Sequence, residues 1–185
     1  MSSTAERTAT YEDLLRVSDH LVAEILNGSL VTHPRPSPRH AMASSVLGIE
    51  VGDAYFRGRG GPGGWWILDE PELHLGPDIL VPDLAGWRRE RMSQLPETAW
   101  FELAPDWVCE ILSPSTTRDD RVVKMPLYAR ENVGHIWLID PDQKTLEAYT
   151  LQDQRWLLLG AHKDDDRVSL PPFEALKLEL SALWP

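Results

Sequence analysis

Two acidic residues interrupt apolar runs that otherwise read as buried strand, and a lysine follows on a predicted helix. Asp83 lies within Ile79-Leu80-Val81-Pro82-Asp83-Leu84-Ala85-Gly86-Trp87, and Glu110 within Trp107-Val108-Cys109-Glu110-Ile111-Leu112. An ionised carboxylate in such surroundings is costly unless a cation or a hydrogen-bond network compensates it. Two of them with Lys124 nearby suggest a divalent-metal site for phosphodiester hydrolysis. Mg2+ is a hard cation that takes oxygen ligands and keeps several waters. It lowers the pKa of a bound water and stabilises charge building on the scissile phosphate. Lys124 would orient that water or help neutralise the phosphate. As a base it would need a depressed pKa, which a neighbouring metal could provide.

Side chains alternate along a strand, so Glu110 and Leu112 share one face while Cys109 and Ile111 take the other. A strand motif of the Glu-x-Lys type would place its lysine at Leu112, which is apolar here. The lysine must then arrive from the following helix, where Arg121, Lys124 and Tyr128 are spaced to share one face.

Each of these residues also has a plainer reading. Asp83 follows a proline, a common setting for a turn-capping aspartate. Glu110 could belong to a buried ion pair with an arginine. Lys124 could be solvated surface beside Arg118, Asp119, Asp120 and Arg121, and Tyr128 could be packing. Cys109, the single cysteine, reads as a buried packing residue and excludes an intrachain disulfide. His20, His33, His74, His135 and His162 show no ligand spacing, which argues against a histidine zinc site. The tryptophans read as core, with Trp87 and Trp100 excepted. No Gly-x-Ser-x-Gly elbow supports a serine hydrolase. A two-carboxylate glycosidase would use Asp83 and Glu110 but leaves Lys124 unexplained.

The elements that must position these groups follow from local signals. Thr10-Tyr11-Glu12-Asp13 resembles a capping box opening a helix to about Val17. Asn27-Gly28 joins strands over 21–25 and 29–32 into a hairpin. Pro34-Arg35-Pro36-Ser37-Pro38 is a stiff connector to a helix over about 39–51. Gly58 to Gly64 lacks the Gly-Lys-Ser/Thr ending of a phosphate loop and reads as a surface loop. Strands are expected over 65–68, 72–75, 78–87 and 107–112. A helix over about 118–131 follows, carrying Pro126 in its interior or splitting there. Strands over 135–140, 145–151 and 155–159 and a last segment near 176–183 complete the chain. This order suits an α/β or α+β domain with a mixed central sheet.

Composition sets the outer limits. The 185 residues, 42% hydrophobic and 25% charged, fit one globular domain over 1–185, with residues 1–9 expected as a disordered tail. There is no apolar stretch for a signal peptide or membrane span, so a cytoplasmic protein is expected. The net charge of −11 argues against a broad, metal-free nucleic-acid footprint. It does not exclude a nuclease whose metal supplies local positive charge.

Three stretches carry a resemblance: Glu24-Ile25-Leu26-Asn27-Gly28-Ser29-Leu30, Pro36-Ser37-Pro38-Arg39-His40, and Val81-Pro82-Asp83. It continues in order through Glu110-Ile111-Leu112-Ser113-Pro114-Ser115-Thr116, Lys124-Met125-Pro126-Leu127-Tyr128, and Val133-Gly134-His135-Ile136-Trp137-Leu138-Ile139-Asp140-Pro141. Over about residues 10–160 the chain resembles the Uma-two family, classed with the restriction endonucleases of the PD-(D/E)XK superfamily. The resemblance implies a restriction-endonuclease-like core, a mixed sheet flanked by helices with an N-terminal hairpin. It implies Mg2+- or Mn2+-dependent cleavage of nucleic acid, taken as DNA. Asp83, Glu110 and the Ile111 carbonyl would be metal ligands and Lys124 the displaced catalytic lysine. Glu24 would face the site with His40 nearby, and Arg121 and Tyr128 would support it. A homodimer is also implied. Pro126 and Asn132 depart from the family pattern, and Pro126 could shift Lys124. The alternative is a nuclease-fold protein of weak or no activity that serves as a binding or assembly module.

Overall fold

The computed structural model describes residues 7–184. Part of the expected tail, residues 1–6, lies outside them. The rest is not loose: Arg7 pairs with Asp13 at 2.9 Å, and Ala9 donates to the Gly28 carbonyl at 2.8 Å. Thr10 caps α1 (Tyr11–Leu15), and the Asp13 carboxylate returns a bond to the Thr10 N–H. Strands β1 (Leu21–Leu26) and β2 (Ser29–Pro34) form the hairpin. Asn27 and Gly28 both take positive φ, +50° and +78°, as a two-residue turn matched to strand twist requires.

Two sheets carry the fold. A four-stranded antiparallel sheet has the order β2-β1-β5-β4, with β4 over Leu73–Leu75 and β5 over Asp78–Leu80. A six-stranded sheet has the order β10-β9-β8-β7-β6-β3. Its strands are β3 (Trp65–Asp69), β6 (Leu84–Arg88), β7 (Trp107–Ile111), β8 (His135–Asp140), β9 (Thr145–Gln152) and β10 (Arg155–Lys163). Only β7 and β8 run parallel, because a helical crossover joins them, while short turns join β8 to β9 and β9 to β10. A small ribbon of β11 (Arg167–Val168) and β12 (Leu178–Glu179) closes the chain.

The expected strand over 78–87 is instead two strands in two different sheets. Pro82 has no N–H for a ladder, and the segment 81–83 carries the chain from the small sheet to the large one. The expected helix over 118–131 is α3 (Thr117–Asp119), a π-wound turn Asp120–Lys124, and α4 (Met125–Arg130). Pro126 sits near the start of α4, where a missing N–H is tolerated, and the wider turn lies directly before it. Asn132 takes φ +60° at the end of α4. The Val133 and Asn132 N–H groups return to the Tyr128 and Ala129 carbonyls, the pattern that a left-handed residue after a helix satisfies.

Each face of the large sheet has its own core. Trp107, Cys109, Ile111 and Trp137 pack on α2 (Pro38–Val51) and the C-terminal segment, with Phe173 at the centre. Val108, Leu112, Ile136 and Leu138 pack on the small sheet and α4. The alternation along β7 thus puts Glu110 on the small-sheet side, opposite Cys109. Trp87, expected outside the core, is fully buried. It stacks on Phe101 at 4.7 Å and donates its indole N–H to the Leu103 carbonyl, because a loop covers its strand. Trp100 is half-buried against His74. Among the described residues no helix is long and apolar enough to cross a membrane.

Candidate active site

The hairpin brings Glu24 in from β1. Its fully buried carboxylate accepts the Val81 N–H at 2.8 Å through Oε1, tying β1 to the segment that carries Asp83. Asp78 holds the same hairpin to α4, accepting from the Asn27 N–H at 2.5 Å and the Arg130 guanidinium at 2.7 Å. Asp83 Oδ2 accepts the Ile111 N–H at 2.6 Å, so the crossing segment is pinned to the end of β7 beside Glu110. Helix α2 starts at Ser37, whose hydroxyl accepts the His40 N–H, with Pro38 in its first turn. That start directs His40 Nε2 to within 3.1 Å of Asp83 Oδ1.

Lys124 is the hub. Its Nζ lies 3.0 Å from Glu24 Oε1, 3.3 Å from Asp120 Oδ1 and 3.5 Å from Glu110 Oε2. The lysine is only 3% exposed, not the solvated surface residue its neighbours in sequence suggest. Tyr128 donates its hydroxyl to Glu110 Oε1 at 2.6 Å, and His33 Nε2 stands 3.7 Å from Glu24 Oε2. Glu24, His33, Glu110, Asp120 and Lys124, with Asp83 and His40, line a cavity of 670 Å³. It is bounded by the 34–38 connector on one side and by Ser113-Pro114-Ser115-Thr116 on another; Tyr128 stands behind Glu110.

The charges do not balance. Four carboxylates (Glu24, Asp83, Glu110 and Asp120) surround one lysine; Asp120 Oδ1 meets the shared Lys124 ammonium at 3.3 Å, and Glu24 Oε2 is buried without a hydrogen-bond donor. Burial pushes the Glu110 carboxyl well up, with Asp120, Asp83 and Glu24 adding to it and Lys124 opposing. Burial also raises Asp120, against Lys124 and Thr116. For Lys124 burial works downward, but Glu110, Glu24, Asp120 and Asp83 override it and hold the ammonium well above its usual value. Burial and the Glu110 charge push the Tyr128 phenol up. His40 is raised: desolvation opposes, while Asp83, the Ile111 carbonyl and Asp120 favour the imidazolium.

An excess of buried carboxylate over cation, with one carboxylate oxygen unpartnered, is the donor chemistry of a hard divalent cation. Among the described residues no three His, Cys, Asp or Glu side chains stand close enough to enclose a metal ion. A cation here would therefore rest on one or two carboxylates, a backbone carbonyl and water. Mg2+ accepts that kind of set, so the residues present fit it.

The sequence model described as "Uma2: Putative restriction endonuclease" matches residues 8–182. The chain belongs to the Uma2 family. Its fold is similar to that in "Crystal structure of a putative nuclease belonging to DUF820 from Anabaena variabilis ATCC 29413". The TM-score is 0.74 and the identity 23%, over 95% of this chain and 97% of that one. No curated protein matches the chain.

In this Uma2 chain the structure brings Asp83, Glu110, Lys124, Glu24, His40 and Tyr128 into one network. The Ile111 N–H is bonded to Asp83, and Ile111 lines the same cavity. Arg121 stays outside. The wider turn rotates it off the Lys124 face, and it pairs with Glu147 on β9 at 2.8 and 3.0 Å. Asp120 takes the place expected for Arg121, and sequence reasoning missed it. Its signal was an acid four residues before Lys124, a spacing that brings the two together on a helix. His33 was also missed; it stands on β2 beside the strand that carries Glu24, and no local pattern marks it.

Proposed function

We propose that this Uma2 protein is a divalent-metal-dependent endonuclease that hydrolyses DNA phosphodiesters. The observation that carries the reading is the convergence of Lys124 Nζ with Glu24, Glu110 and Asp120 from separate elements, inside one cavity that also holds Asp83. Asp83, Glu110 and the Ile111 carbonyl would hold Mg2+ or Mn2+. When bound, that ion supplies an activated water and neutralises charge on the phosphate. Lys124, surrounded by acids, stays charged; it orients the attacking water and offsets negative charge as the phosphate passes through its transition state. It is not the base in this arrangement. Glu24 and Asp120 hold Lys124 from two sides, Tyr128 fixes the rotamer of Glu110, and His40 steadies Asp83. The homodimer implied by the resemblance belongs to the same proposal and is read by light scattering.

One observation favours the alternative of an inactive binding or assembly module. His40 Nε2 already sits 3.1 Å from Asp83 Oδ1, and the Ile111 N–H is bonded to Asp83 Oδ2, so both oxygens of one expected ligand are engaged within the protein. Calorimetric titration with Mg2+ and Mn2+ separates the readings. Binding by the wild type that is lost in both Asp83→Asn and Glu110→Gln supports the endonuclease. No binding at millimolar ion, with DNA present, supports the module.

A further inference from the structure

Resting on the endonuclease reading, we infer that the site takes an unpaired nucleotide, from a single strand or an extruded base, and not an intact duplex. Two independent observations carry this: the depth of the reacting groups and the charge of the cavity wall.

The groups that must meet the phosphate are nearly inaccessible. The side chains of Glu110 and Lys124 are at most 4% exposed and that of Asp83 15%, with the supporting Glu24 and Asp120 at most 2%. They lie in a cavity of 670 Å³. Phosphates of a rigid paired backbone stay at the surface, whereas groups this deeply buried call for a nucleotide that can leave the stack and enter the cavity. A single nucleotide fits the size range of enclosed ligand sites. The walls are also stiff. Pro34, Pro36 and Pro38 alternate along one side, with Pro114 and Pro141 on others, and each proline has its φ fixed by its ring. Their apolar faces suit the flat face of a base, as in enzymes that act on bases outside the stack.

The charge points the same way. Six acids line the cavity against three strong cations, of which Lys124 is interior. Only Arg35 and Arg39 remain, their side chains 53% and 64% exposed. Arg35 donates to the Asp19 carbonyl through Nε and Nη2, which fixes its direction. Its Nη1 at 3.9 Å from Glu70, and Arg39 at 3.5 Å from Asp142, are loose pairs that a phosphate can replace. Two exposed arginines can meet about two phosphates, well short of a duplex footprint of roughly six to ten.

The test uses the full chain with Mn2+ and four end-labelled probes: a DNA strand, the same strand as RNA, that DNA strand fully paired, and the duplex with one unpaired nucleotide. The expected result is kcat/KM on a single strand, and on the duplex with the unpaired nucleotide, about tenfold or more above the full duplex. The two single strands identify the sugar. A full duplex cut as fast as either DNA probe overturns the inference and leaves the endonuclease reading standing. No cleavage of any probe overturns the reading beneath it. Binding of the DNA strand by Glu110→Gln should fall with salt at a log–log slope of about −1.4, from two phosphates at roughly −0.7 each. A slope steeper than about −5 means an extended backbone footprint and also overturns the inference.

Discussion

Lys124→Met leaves Glu24, Glu110 and Asp120 facing one another with no cation between them. All three acids are at most 2% exposed, and the lost ammonium lay 3.0, 3.5 and 3.3 Å from them. Removing one partner of a buried ion pair costs about 3–5 kcal/mol, because an uncompensated charge stays behind. In a chain of this size each kcal/mol lowers Tm by about 2–4 °C, so a loss of about 6–20 °C is expected near pH 7.5. The pH dependence has a definite sign. Lys124 has its folded pKa raised, so its contribution is fully present below the ordinary value of 10.5 and is lost only above that. Glu110 and Asp120 are raised in the fold, so their ionised forms oppose folding above those values and not below the usual carboxylate range. Taking the lysine away raises them further. The Tm loss should therefore shrink as pH falls from about 7.5 toward about 4.5. Differential scanning fluorimetry across that range reads both quantities, and adding Glu110→Gln to Lys124→Met should recover part of the loss. An unchanged Tm near pH 7.5, or the same loss at both ends of the range, refutes the buried hub.

Phe173 is fully buried, with ring centroids 4.6–5.6 Å from Tyr55, Trp107, Trp65 and Trp137. Phe173→Ala should cost about 3–5 kcal/mol in denaturant unfolding; a loss under about 1 kcal/mol would mean that the aromatic centre is not closely packed. Burial raises the Cys109 thiol well above its usual value, so a thiol reagent should label it only at the rate of unfolding, and rapid labelling in native buffer would contradict the fold. The Glu147 carboxyl is held below its usual value, chiefly by its bond from Arg121. That contribution is present above the unfolded value and lost as pH falls through the folded one. Arg121→Ala should thus lower Tm slightly near neutrality, with no difference remaining in acid.

Much of the scaffold was legible in local pattern. Asn27-Gly28 specifies a hairpin because both residues tolerate positive φ. Thr10 with Asp13 specifies a helix start because the two bond each other's backbone. Strand alternation put Glu110 and Cys109 on opposite faces, and acids within apolar runs are expensive enough to mark Asp83 and Glu110. These signals act over a few residues, so the chain states them outright. Other features depended on which elements pack together. The apolar pattern of 78–87 is the same whether it forms one strand or two, and only the pairing of β5 with β1 and β6 with β7 separates them at Pro82. Trp87 looked free until the loop carrying Leu103 closed over it. Arg121 and Asp120 are adjacent in sequence, and the wider helical turn decided which one faces the site. The charge on Lys124 is compensated by Glu24, which the tertiary fold alone brings to its side. Residue types determined what chemistry was available, and long-range packing decided which of those groups share one cavity.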